Sequence, residues 1–324
     1  LKAMSSVLSD FGKSGYGYEF DLLSVDSAHK IGGKYDLAIV DEAHCIGAFP
    51  RASRRSKLLR KALKGTPVIF LSATPTPESW SMLFHQLWVS PYSPYRHYRS
   101  FYAWARDYVT IKERRFGGVT VRDYSHADQA RIQADLEPYT LTLTQAEADF
   151  NQEIQEHIMR VEVAPGIHAL IKTLLKDRYY KLKNGGEIVC DTPVKLMSKC
   201  HQLASGTVID EAGRAHALDR SKAAAIRARF SERKIAVFYK FVAEFDLLKE
   251  VFPRWTSSPE TFRREPDTVF LGQFTSAREG LELSAAECIV FYNLDYAWLS
   301  YAQAKERMQA RNRKTAPELW WVFG

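Results

Sequence analysis

An apolar run ending in two adjacent carboxylates constrains this chain most. Tyr35-Asp36-Leu37-Ala38-Ile39-Val40 leads directly into Asp41-Glu42-Ala43-His44. The run reads as a buried parallel strand. Paired carboxylates at such a strand end suit a nucleotide–magnesium site: one can hold a metal-bound water, and the next can polarise the attacking water. About thirty residues on, Val68-Ile69-Phe70-Leu71 repeats the strand pattern and runs into Ser72-Ala73-Thr74-Pro75.

Three zones are expected. Residues 1–90 alternate short strands (20–25, 35–40, 68–72) with helical stretches (53–63 and 78–88), which predicts an α/β layer around a parallel sheet. Residues 91–215 read as a mostly helical insertion and linker. It opens with an aromatic and arginine-rich segment over 92–108. These aromatics are expected in a core, although rings and guanidinium groups could also grip a nucleic-acid strand. A long amphipathic helix is expected over 144–160, with Thr144 as N-cap and Glu147 in the capping-box place. Further helices are expected over 166–182 and 192–204. Residues 216–324 form a second α/β layer, with strands over 234–239, 268–271, 288–292 and 319–323 and a basic helix over 299–313. Two partial α/β domains flanking a helical insertion is the architecture this predicts.

The D-E-A-H at 41–44, followed by S-A-T at 72–74, resembles motifs II and III of superfamily-two helicases and translocases. The loop 273–283, Gln-Phe-Thr-Ser-Ala-Arg-Glu-Gly-Leu-Glu-Leu, resembles motif V of the Swi/Snf branch, and 303–311 resembles motif VI. Residues 234–241 resemble motif IV, and Ser205-Gly206-Thr207-Val208 looks like the junction into the second domain. The resemblance implies two RecA-like domains of a DNA-dependent ATPase, using ATP and Mg2+ to move on DNA, double-stranded by preference. It implies that Asp41 and Glu42 serve the metal and the attacking water, with Arg307 and Arg311 completing catalysis. His44, Ser72, Thr74 and Gln303 would couple nucleotide to movement. Gln273, Thr275, Arg278 and Gly280 would form a loop facing nucleotide and nucleic acid. A phage or bacterial source is expected, with a cytoplasmic location, or a nuclear one in a eukaryote. Other superfamily-two motors, restriction-type or RNA-directed, are the alternative. So is a nucleic-acid-binding module that kept the fold without hydrolysis.

Three departures from the pattern bear on this. Gly12-Lys13-Ser14 has Val7 where a phosphate loop needs its first glycine, and no apolar strand precedes it. It reads as a surface turn, so the phosphate-loop part is expected to precede Leu1, and the chain alone is expected to be inactive as an ATPase. The second arginine of motif VI falls at Ala310, leaving Arg311 or Arg313 to supply the charge. The chain also stops at Gly324, where the family continues. Composition agrees with a nucleic-acid partner: the net charge is +7 and the pI about 9.1. Cys45, Cys190, Cys200 and Cys288 form no C-x-x-C pair, which suits a reducing compartment, and no run is long and apolar enough for a bilayer. The basic stretch Arg51, Arg54, Arg55, Lys57, Arg60, Lys61 and Lys64 is either a solvated helix face or a nucleic-acid contact.

Overall fold

The computed structural model describes residues 17, 19–116, 119–143, 147, 153–274, 282–294, 301, 304–305 and 315–324. The chain divides into two compact units, one within 16–143 and the other within 144–324. The division falls inside the segment 91–215. Among the described residues that segment holds helices, three antiparallel hairpins and one strand of a larger sheet, so it is less purely helical than its sequence suggests.

In the first unit, strands β1 (Ala38–Val40) and β2 (Val68–Phe70) pair in parallel, with Ile39 opposite Ile69. Val40 packs into a core with Ala28, Ala43, Ile46, Leu59 and Leu63. The other face presents Leu37, Ile39, Ile69 and Leu71, each 45–51% exposed. The expected burial on both faces is therefore met on one only, because no second layer covers this pair among the described residues. The strand expected over 20–25 is absent for a related reason. Phe20 and Leu23 are exposed, and a short 3-10 helix begins at Val25. Helix Arg54–Ala62 forms where expected, its first turn capped by the Ser53 hydroxyl, which accepts from the Ser56 N–H. The helix expected over 78–88 is shortened to Met82–Leu87, and the hydroxyls of Ser79 and Ser81 donate to the carbonyls of Ser125 and Tyr124.

The aromatic segment builds a second core in this unit. Tyr95, Phe101, Trp104 and Tyr108 are buried with Leu83, Phe84, Tyr124 and Ile132. Trp104 stacks on Tyr108 at 5.0 Å. Ring packing thus accounts for most of these aromatics. Helix Phe101–Tyr108 leads into hairpin β3 (Lys112–Phe116) and β4 (Val119–Asp123).

The second unit is centred on a six-stranded, wholly parallel sheet. Its strands are β5 (Gln155–Arg160), β10 (Ile235–Tyr239), β11 (Trp255–Thr256), β12 (Val269–Gln273), β13 (Cys288–Phe291) and β14 (Glu318–Phe323). Their order is β11-β12-β10-β13-β14-β5. Alternate residues of β10 feed opposite cores: Ile235, Val237 and Tyr239 face Ile226, Leu247 and Leu248, while Ala236 and Phe238 face Phe262 and Phe274. Burial on both faces is why these strands read as unbroken apolar runs. Between β5 and β10 lie hairpins β6 (Tyr179–Lys181) with β7 (Glu187–Val189) and β8 (Thr207–Ile209) with β9 (Ala215–Ala217). They share a core with helices Pro165–Asp177 and Pro193–Ala204.

Strand β5 corrects the helix expected over 144–160. Residues 155–160 lie along β14 in register from Gln155–Glu318 to Arg160–Phe323. His157 stacks on Trp320 at 4.5 Å, and Glu156 accepts from the Trp321 indole N–H. The partner strand is more than 150 residues away in sequence, and local helical periodicity carries no trace of it. Most of 144–152, with the expected cap at Thr144, lies outside the described residues, as does most of the basic helix over 299–313.

Candidate active site at the strand ends of the first unit

Residues 41–44 and 72–74 meet because β1 and β2 end side by side. The Leu71 N–H donates to the Val40 carbonyl, and the Ala43 N–H donates to the Leu71 carbonyl. These bonds carry the strand pairing one step past each strand and hold the two loops together. Asp41 is exposed, and its Oδ1 accepts from the Glu42 N–H at 2.9 Å. Glu42 adopts a left-handed backbone, φ 48° and ψ 48°. A non-glycine residue there costs on the order of 1–2 kcal/mol, and such strain persists where the surroundings impose it.

The strained turn aims the Glu42 side chain back across the loop. Its Oε2 lies 3.2 Å from Nδ1 of the buried His44. The same Nδ1 is 3.1 Å from the Ser72 hydroxyl, which accepts from the Thr74 N–H at 3.2 Å. The Nδ1 hydrogen bond goes to Ser72, and Glu42 lies beside the imidazole at charge–charge distance, so Glu42, His44, Ser72 and Thr74 form one cluster between the loops. The Thr74 hydroxyl is buried without a hydrogen-bond partner among the described residues. A polar atom left this way in a folded interior asks for a further ligand or a rearranged state.

Helix Met82–Leu87 supports both loops, and no motif in the sequence announces this. The Gln86 amide donates to the Pro75 carbonyl, beyond S-A-T, and the His85 Nδ1 donates to the Ala48 carbonyl at 2.7 Å, beyond D-E-A-H. Burial pushes the His85 imidazole below its ordinary pKa, which keeps it neutral. A Cβ at Gly47 would sit 2.7 Å from the Gln86 side-chain nitrogen, so a larger residue there would push that amide off the Pro75 carbonyl.

The remaining predicted residues are dispersed. Gln273 belongs to the second unit, at the end of β12, where its amide donates to the Lys240 carbonyl and ties β12 to β10. Thr275, Arg278, Gly280, Gln303, Arg307 and Arg311 lie outside the described residues, as do Gly12, Lys13 and Ser14. Of the basic helix, Arg55 is committed to Asp26 through two hydrogen bonds, and Arg60 lies 3.7 Å over the Trp88 ring. These two charges have structural partners.

The second unit holds a buried polar cluster at the same end of its own sheet. Glu244 Oε2 accepts from the N–H groups of Lys240 and Phe241, both at 2.9 Å. Its other oxygen accepts from Asn293, whose amide also reaches the Ser205 hydroxyl at 3.2 Å. The Tyr292 hydroxyl donates to the Ser205 carbonyl at 2.7 Å. Gly206, at φ +83°, is fixed as glycine because a Cβ would collide with the Asp219 carbonyl. Burial raises the Glu244 carboxyl to about 7. It lowers Lys222, whose ammonium lies 5.0 Å from the Tyr292 ring, to about 8. The sequence signal for Glu244 was its place just inside a helix that follows a strand.

No protein-family model and no curated protein matches the chain. Among solved structures it is similar to the C-terminal part of the Fun30 ATPase domain, at 12% identity and TM-score 0.34, over 53% of this chain and 85% of that one. It is also similar to the Sulfolobus solfataricus SWI2/SNF2 ATPase core in complex with dsDNA, at 15% identity and TM-score 0.36, over 92% of this chain and 66% of that one. Neither likeness bears on the roles of individual residues.

Proposed function

We propose that this chain is part of an ATP-driven motor that moves on double-stranded DNA. The observation that supports this reading best is the cluster of Glu42, His44, Ser72 and Thr74, brought together at two adjacent parallel strand ends. Open α/β sheets bind ligands outside the carboxyl ends of their strands. In this reading Asp41 positions magnesium and Glu42 orients the attacking water. His44, Ser72 and Thr74 pass the state of the nucleotide to the neighbouring loop. Arg307 and Arg311 act on the phosphates, Gln303 joins His44, Ser72 and Thr74 in coupling, and Gln273, Thr275, Arg278 and Gly280 serve the loop toward nucleotide and nucleic acid.

Magnesium takes one or two protein carboxylates and fills its remaining positions with phosphate oxygens and water. The exposed Asp41, with only one oxygen engaged by the Glu42 N–H, fits that demand. When bound, the ion would neutralise charge on the phosphates. The buried Thr74 hydroxyl without a partner is placed to gain one when the loops shift with the nucleotide.

DNA binding by such a motor is expected to rest on phosphates. The +7 net charge comes with no recognisable base-reading module in the sequence. Affinity for duplex should fall with salt at a log–log slope of about −0.9 per phosphate neutralised. It should differ little between duplexes of unrelated sequence. Fluorescence anisotropy across a salt series measures both. A flat salt response, or strong preference for one sequence, would count against the reading.

A further inference from the structure

The first unit contains a cleft of about 670 Å3 lined by Arg51, Tyr102, Arg106, Thr120, Arg122 and Tyr124. The cleft is open along one side and has room for one or two nucleotides laid across it, at the roughly 300–1,000 Å3 scale of small-ligand sites. The cleft is built by three separate stretches. Phe49, two residues before Arg51, stacks against Phe101 with ring centroids 6.5 Å apart, which holds the Arg51 loop beside helix Phe101–Tyr108. That helix carries Tyr102 and Arg106. Strand β4 supplies Thr120 and Arg122.

The chemistry of the lining is specific. Tyr102 is 45% exposed, whereas its helix neighbours Phe101 and Trp104 are buried in the aromatic core. An edge-on approach to Tyr124, 5.7 Å between centroids, orients the Tyr102 ring at the cleft. Among the described residues neither Arg51 nor Arg106 has a carboxylate partner. Arg122 pairs with Glu113 at 2.9 Å, but both groups are more than half exposed, so the pair is weak and readily exchanged. The hairpin register puts Arg115 opposite Thr120, on the same face as Glu113 and Arg122, which adds a further positive charge beside the cleft. Guanidinium groups bind phosphate oxygens in a planar fork, and an exposed ring offers a surface to any unpaired base.

We infer that this cleft holds a single nucleic-acid strand, its phosphates on Arg51, Arg106 and Arg122 and a base against Tyr102. A duplex buries its base faces and would leave the ring without a use, so an unpaired strand is the better fit. The inference rests on the proposal that the protein works on nucleic acid, and adds to the duplex on which the motor moves a separate place for one unpaired strand.

The test uses a fluorescein-labelled oligothymidylate and a duplex of equal length, each titrated against the full protein. For the single strand, Arg51→Glu combined with Arg106→Glu should weaken binding about tenfold or more, and should flatten the salt slope by about 0.7 for each phosphate no longer neutralised. Tyr102→Ala should weaken it about fivefold or more, and Tyr102→Phe should restore it, because stacking needs the ring and not the hydroxyl. Unchanged single-strand binding in both altered proteins, with duplex binding intact, would overturn the cleft assignment and leave the motor reading standing. Thymidine monophosphate competing as well as the strand would also overturn it, since the site would then take a free nucleotide. A parent that binds neither nucleic acid would remove both readings.

Discussion

Replacing Glu42 with glutamine is expected to leave nucleotide binding largely intact and to lower ATP turnover by about 100-fold or more, the effect of losing a base that positions water. The substitution keeps the size and the backbone demand of the residue. It removes the negative charge that faces His44 at 3.2 Å and one of the two oxygens able to accept a water proton. The left-handed turn at Glu42 is imposed by the strand pairing on either side, so the side chain should stay in place. Comparing the nucleotide Kd with the turnover rate separates binding from chemistry. Turnover within a few-fold of the parent would remove Glu42 from its assigned role. A matching loss of nucleotide affinity would point to a metal-binding role instead.

Much of this site was legible in the sequence because it is local. Asp41, Glu42, His44, Ser72 and Thr74 sit at the ends of two apolar runs, and parallel pairing of those runs brings them together with little else required. Strands β10, β12, β13 and β14 of the second unit were legible as well, since a strand buried on both faces is apolar throughout. What escaped was set by distant partners. Residues 155–160 look helical until Trp320 and Trp321 arrive as neighbours from β14. The support that His85 and Gln86 give to both site loops depends on two backbone carbonyls, which no side-chain pattern encodes. The arginine and aromatic stretch was read mainly as core, and Tyr95, Phe101, Trp104 and Tyr108 are core. The exposure of Tyr102 on the opposite side of the same helix turn is a property of the packed helix.

Removing the Glu244 side chain is expected to cost about 3–5 kcal/mol of stability, the range for breaking a buried charged network. Glu244→Ala would leave the Lys240 and Phe241 N–H groups and the Asn293 amide buried without their acceptor. These groups hold the ends of β10 and β13 to Ser205, so the loss should spread to the sheet end that carries Gln273. The pH dependence has a defined sign. Burial raises the folded carboxyl to about 7, above its unfolded value, so the folded state binds the proton more tightly. The stability this gives is complete below the unfolded pKa, near 4.5, and is lost as pH rises through about 7. Lys222 acts in a separate window. Its folded pKa is lowered to about 8, so its contribution is complete above 10.5 and lost as pH falls through 8. Glu244→Gln should therefore flatten the stability curve between pH 4.5 and 7 while leaving the alkaline limb in place. Denaturant unfolding across that range measures it, and an unchanged acid limb would show that Glu244 is ionised throughout.

The strand-end site of the first unit is proposed to serve ATP hydrolysis coupled to DNA. Phosphate release from ATP, with and without duplex DNA, tests this directly, measured on the 324-residue chain and on any longer form that adds a phosphate loop. Release is expected to rise when duplex is added to a form that carries a phosphate loop. None is expected from the isolated chain, in which Val7 stands where a phosphate loop ending at Gly12-Lys13-Ser14 would need its first glycine. Release from the longer form that is absent, or indifferent to DNA, would contradict the proposal. DNA-stimulated release from the isolated chain, abolished by Lys13→Ala, would show that the phosphates are held at Gly12-Lys13-Ser14 after all.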